Sequence, residues 1–82
     1  MGNGTEDKAE RILMIYMKLK QGKIIYKDTL SEKYGVSART IQRDITDIQE
    51  FLQSQFMEEG NIQEVVFDKR AGGYRLQIKR TN

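Results

Sequence analysis

The chain has no cysteine and no histidine. Disulfides, Cys or His metal ligands, thiol chemistry and histidine acid–base catalysis are therefore excluded. The lack of cysteine fits a reducing compartment, and a cytoplasmic location is expected. There is no proline to interrupt any element. No apolar run approaches the ~20 residues of a membrane span, so no membrane partner is expected. The opening Met-Gly-Asn-Gly-Thr-Glu lacks a signal peptide's apolar core. Glu6 stands where a myristoylation pattern needs Ser or Thr. Asn3-Gly4-Thr5 has the form of a glycosylation sequon, which without a secretory signal reads as coincidence. The 12 carboxylates do not cluster with a partner group or a phosphate loop, so neither an enzyme nor a cofactor is expected.

With 82 residues the chain makes one small domain. Charged residues are plentiful at 32%, yet the net charge is only +2, so the distribution says more than the sum. Asp44, Asp47, Glu50, Glu58, Glu59 and Glu64 occupy a stretch with no Lys or Arg. Lys69, Arg70, Arg75, Lys79 and Arg80 occupy one with no acid. Such segregation allows a locally basic face on a nearly neutral body.

The most informative stretch is residues 35–48, Gly-Val-Ser-Ala-Arg-Thr-Ile-Gln-Arg-Asp-Ile-Thr-Asp-Ile. Gly35 can take the left-handed turn that ends a helix, Val36 can plug the turn, and Ser37 is a good N-cap. Ile41, Ile45, Ile48 and Leu52 then recur at helical spacing as one apolar stripe. Arg39, Gln42, Arg43 and Thr46 fall on the opposite face. This predicts a helix from Ala38 to about Gln53, with a buried stripe and an outer face suited to the major groove of DNA.

A first helix is expected from Thr5, its cap, to just before Gly22, with Ile12, Ile15, Tyr16 and Leu19 inward. Ile24-Ile25-Tyr26 reads as a short edge strand. Lys27 to Tyr34 reads as a second helix with Leu30 and Tyr34 inward. Residues 54–61 have no clean period and read as a connection on which Phe56 and Met57 dock. Ile62 to Asp68 and Tyr74 to Lys79 alternate with a period of two, which predicts strands with one buried face. On that face lie Val65 and Phe67 in one strand and Tyr74, Leu76 and Ile78 in the other. Lys69-Arg70-Ala71-Gly72-Gly73 joins them as a hairpin turn whose glycines supply positive φ. The predicted class is α+β, a winged helix-turn-helix of three helices, a short strand and a C-terminal two-stranded wing. Residues 1–5 are expected to be a flexible tail and 6–79 the domain. Residues 80–82 are expected to be a second tail, placed to begin a linker.

Three blocks of this sequence resemble the DeoR-type winged helix-turn-helix, in the version found at the N-terminus of bacterial regulators with a WYL domain. They are Asp28-Thr29-Leu30-Ser31-Glu32-Lys33-Tyr34-Gly35-Val36-Ser37, Arg39-Thr40-Ile41-Gln42-Arg43-Asp44-Ile45 and Gly72-Gly73-Tyr74-Arg75-Leu76. With the first helix they cover nearly all of the chain. The resemblance implies a bacterial transcription regulator that binds operator DNA, often as a homodimer. It also implies a ligand-sensing effector domain, which this chain does not contain. Many members have Arg where this chain has Gln42.

Arg39 and Arg43 can each bind guanine O6 and N7 or a phosphate, and Gln42 can pair with adenine N6 and N7. Thr46 lies one turn on, within reach of a methyl or a phosphate. Ser37 and Thr40, at the helix start, favour a phosphate or serve only as the cap. Lys27 and Thr29 are candidate phosphate contacts at the start of the second helix. Lys69 and Arg70, on the wing tip, can lie on the backbone or in the minor groove. Arg43 has a structural alternative, a salt bridge with Asp44. The function expected is sequence-specific binding of double-stranded DNA. The alternative is a protein-binding winged helix whose patch is Met14, Met17, Phe56 and Met57. A single-strand binder would want exposed aromatics on the sheet, where these read as inward.

Overall fold

The computed structural model describes residues 4–59 and 61–80, with side chains described for 8–55 and 62–79. Helix α1 spans Gly4–Lys20, α2 Lys27–Tyr34 and α3 Ala38–Glu59, followed by strands β1 Asn61–Asp68 and β2 Gly73–Arg80. This is the order of a winged helix-turn-helix, with the antiparallel pair β1–β2 as the wing.

Local signals fix most of the boundaries. At the end of α1, Gly22 takes φ 84°, and the Lys23 amide closes back on the Lys18 carbonyl at 3.0 Å, a left-handed stop that satisfies the last carbonyls. Gly35 does the same for α2, with φ 68° and the Val36 amide on the Ser31 carbonyl at 3.1 Å. Two residues later Ser37 Oγ accepts the Thr40 backbone N–H at 3.1 Å, so it is the N-cap of α3, as its position predicts.

Four features differ from the sequence expectation. Helix α1 begins at Gly4, so Thr5 lies within it; the side chain of Thr5, and those of Phe56 and Met57, lie outside the described side chains. Helix α3 continues through residues 54–59. That segment carries no Gly or Pro, and the Gln, Met and Glu it contains are good helix formers, so nothing stops the helix before Gly60. Ile24-Ile25-Tyr26 forms a single bridge, Ile25 to Tyr74, whose two backbone hydrogen bonds are 2.7 Å long. Finally, the inward sheet face is covered only in its middle: Val65, Tyr74 and Leu76 pack on the core, whereas Phe67 and Ile78 remain about half exposed. A period of two assigns a face but not the extent of its cover.

The core is Ile15 and Leu19 of α1, Ile25, Leu30 of α2, and Ile41, Ile45, Ile48 and Leu52 of α3, each at most 3% exposed. Val36 and Tyr34 pack against it from the turn. Two opposite charges lie within this apolar set. Arg11 and Asp44 are buried and face each other: Arg11 Nε donates to Asp44 Oδ2, and Nη2 donates to Oδ1 at 3.2 Å. This two-point ion pair ties α1 to α3. The Arg43–Asp44 salt bridge considered above is not formed, because Asp44 turns inward to Arg11.

The wing turn is organised by Asp68. Its Oδ1 accepts the Ala71 N–H at 3.1 Å, and its Oδ2 accepts Arg75 Nε at 3.2 Å. These contacts, the Ala71 amide first and then the Arg75 guanidinium, hold the Asp68 carboxyl below the ordinary aspartate value of 3.8. A carboxyl with a depressed pKa contributes stability that is complete above its unfolded pKa and is lost as the pH falls through its folded pKa. The wing turn is therefore expected to hold from neutral pH down to about pH 4 and to loosen below it. Amide exchange at Ala71 and Gly72 measured against pH checks this, and Asp68→Asn should remove the dependence.

The two wing glycines have different reasons. Gly72 takes φ 76° with open space around it. Gly73 is not left-handed; a Cβ there would sit 2.6 Å from the Ile25 carbonyl oxygen and 2.6 Å from Ile24 Cγ2. Glycine is needed at 73 so that the Ile25 bridge can reach β2. Gly73→Ala is expected to cost about 1–3 kcal/mol in urea unfolding by forcing that segment away. Gly72→Asn should cost less, since Asn tolerates the left-handed region.

Candidate nucleic-acid interface

With Ile41, Ile45, Ile48 and Leu52 buried in α3, helical geometry turns residues 39, 42, 43 and 46 outward. Arg39, Arg43 and Thr46 are exposed and Gln42 is half-buried. All four line one open groove of about 510 Å³, together with Lys8 and Asp47. Arg39 and Arg43 have no ion-pair partner among the described residues. No described acid engages their guanidinium donors. Lys8 of α1 adds a cation to the groove and lies 3.9 Å from Asp47, which offsets that acid. Sequence reasoning did not single out Lys8, because its place depends on how α1 crosses α3.

The side chains of the candidates are engaged in different ways. Ser37 and Thr40 are engaged with each other at the start of α3, their hydroxyls 3.2 Å apart. Thr46 Oγ1 donates to the Gln42 carbonyl at 3.0 Å, a bond within the helix that leaves its lone pairs outward. Lys27 is drawn toward α3: its Nζ donates to Gln42 Oε1 at 3.1 Å and lies 5.6 Å from the centroid of the Tyr74 ring. Tyr74 of the wing donates its hydroxyl to the same oxygen at 3.1 Å. Gln42 is thus held from α2 and from β2 at once.

Thr29 is exposed and lines a second cavity of about 340 Å³ between the start of α2 and the wing, with Lys27, Asp28, Gly72 and Tyr74. Lys69 and Arg70 are exposed on the wing turn and line neither cavity. The helix-face candidates are therefore gathered into one site, whereas the wing cations stand apart from it.

A third, largely apolar groove of about 380 Å³ lies between α1 and α3, lined by Ile12, Leu13, Tyr16, Asp47, Ile48 and Phe51. The exposed Leu13 and Phe51 flank it, and Met14 and Met17 are also exposed. Among the described residues no group of carboxylates could hold a metal, and no helix is long and apolar enough to cross a membrane.

A tight turn between α2 and α3, an exposed polar face on α3 and a wing behind it are the parts of a helix-turn-helix. A family profile described as an HTH domain matches residues 9–75. The chain belongs to this HTH domain family. The match runs from within α1 through the wing turn to Arg75, so the HTH domain as the family defines it includes the whole of α2, α3 and β1. No curated protein and no solved structure matches the chain. Membership points to DNA as the partner.

Proposed function

We propose that this HTH domain binds double-stranded DNA in a sequence-directed way, with the first half of α3 in the major groove and the wing alongside. One observation carries this reading. The face of α3 opposite the buried stripe presents Arg39, Gln42 and Arg43 in a single open groove, and neither arginine has an ion-pair partner among the described residues. Arginine forks match guanine edges and phosphates. The Ser37 and Thr40 end of α3 faces the backbone, and Lys69 and Arg70 meet it from the wing.

The DeoR-type resemblance extends the proposal to a bacterial transcription regulator acting in the cytoplasm, with residues 6–79 as its DNA-reading domain and an effector domain elsewhere in the protein. A homodimer would set two α3 helices about 34 Å apart on a palindromic or repeated site. Alone, one domain makes few phosphate contacts and should bind weakly. A protein-binding role has one observation in its favour, the apolar α1–α3 groove, which shares only Asp47 with the basic one.

Fluorescence anisotropy of a mixed-sequence duplex pool, at two salt concentrations, tests the proposal. Binding should weaken as salt rises and should be lost in a folded Arg39→Ala/Gln42→Ala/Arg43→Ala variant. If that variant binds as the parent does, α3 is not the DNA face. If a covalently linked dimer binds no duplex at low salt, the domain is not a DNA binder.

A further inference from the structure

We infer that Gln42 reads DNA only as a hydrogen-bond donor, and that it therefore selects guanine over adenine; this rests on the DNA-binding reading above. A glutamine in a major groove is usually paired with adenine, because its amide can accept from N6 and donate to N7 at once. That pairing needs a free amide oxygen. Here the oxygen is taken twice, by Lys27 Nζ at 3.1 Å and by the Tyr74 hydroxyl at 3.1 Å.

The orientation of the amide follows from chemistry. An ammonium has donors and no acceptor, so the group facing Lys27 must be the oxygen. A carbonyl oxygen has two lone pairs, and the two donors occupy both. What Gln42 has left is its NH2 group, two N–H donors that make no hydrogen bond among the described residues, in a groove already lined by Arg39 and Arg43.

The clamp is braced from behind. The Tyr74 backbone is bridged to Ile25, and its ring packs edge-on against Phe67 at 5.2 Å. Lys27 sits at the first turn of α2, over the Tyr74 ring. Lys27 and Tyr74 are therefore positioning residues. The wing and α2 set the hydrogen-bonding sense of a side chain on α3.

A donor-only group needs acceptors opposite it. Guanine offers two adjacent ones, O6 and N7, whereas adenine sets its own N6 donor beside N7. The positive charge of Lys27 behind the amide strengthens the same preference. At the base pair facing Gln42, guanine should be favoured over adenine by roughly five- to hundredfold.

The test is selection from a random duplex library followed by sequencing, run on the parent domain, Gln42→Ala and Lys27→Met/Tyr74→Phe. The position that becomes degenerate in Gln42→Ala is the one Gln42 reads, and it should be guanine for the parent. In the double variant the oxygen is released, and the preference there should move toward adenine. Loss of a phosphate contact by Lys27 would weaken binding without changing the base chosen, so the base is the decisive readout. Should the double variant fail to fold, 7-deazaguanine at that position of the selected site decides: it should weaken the parent several-fold and leave Gln42→Ala unchanged. Adenine at the parent's Gln42-dependent position, no Gln42-dependent position in an otherwise selected site, an unchanged guanine in the double variant, or indifference of the parent to 7-deazaguanine each overturns the inference alone. Failure of the covalently linked dimer to select any site overturns it together with the DNA-binding reading.

Discussion

Asp44→Ala should unfold the domain or lower its stability by about 3–5 kcal/mol. Asp44 is 1% exposed and Arg11 6%, and they meet through two contacts across the α1–α3 interface. Removing the carboxylate deprives a buried guanidinium of the partner it meets at two points, at a cost well above that of a surface pair. Total stability for a domain is about 5–15 kcal/mol, and this one is small. Urea unfolding followed by circular dichroism measures the effect. Arg11→Ala/Asp44→Ala should cost less than the sum of the two single changes, and Arg11→Met/Asp44→Leu should be close to neutral, because apolar residues of similar volume can replace a buried pair.

The second large effect falls on binding and not on folding. Arg39→Ala and Arg43→Ala should each weaken DNA binding by about 1–3 kcal/mol if each reads a base, and the double variant should lose more than either. Both side chains are exposed and outside the core, so urea midpoints should stay within ~0.5 kcal/mol of the parent. Comparing a selected site with random DNA separates two roles. A loss confined to the selected site marks a base contact. An equal loss on both, with a salt slope shallower by about one, marks a phosphate contact.

The helix-turn-helix itself was legible because its signals are local. Gly35 and Ser37 lie two residues apart and act on their own backbone, so the end of α2 and the start of α3 follow from residue types alone. The isoleucine stripe placed the outer face of α3 for the same reason. What the sequence did not disclose depends on contacts between elements. Arg11 and Asp44 lie 33 positions apart; the only clue was a charge on each apolar stripe, at the spacing of Ile15 and Ile48. Gln42 reads from its position alone as an adenine partner, and only the convergence of Lys27 and Tyr74 on its oxygen changes that. The second wing glycine likewise reads as a turn residue, and only the Ile25 carbonyl oxygen, 2.6 Å from where its Cβ would sit, shows why glycine is needed there. The end of α3 lies beyond the one the sequence predicts, because the apolar stripe stops at Leu52 while the helix runs on to Glu59.

The most direct test of the central claim, that α3 is the DNA-reading surface, is a titration of the ¹⁵N-labelled domain with a short mixed-sequence duplex, followed amide by amide. The account predicts that shifts concentrate in residues 37–46 and 69–73, and that the amides of Leu13 and Phe51 beside the apolar groove stay put. Shifts confined to the α1–α3 groove, or none at low salt with duplex in large excess, would contradict it.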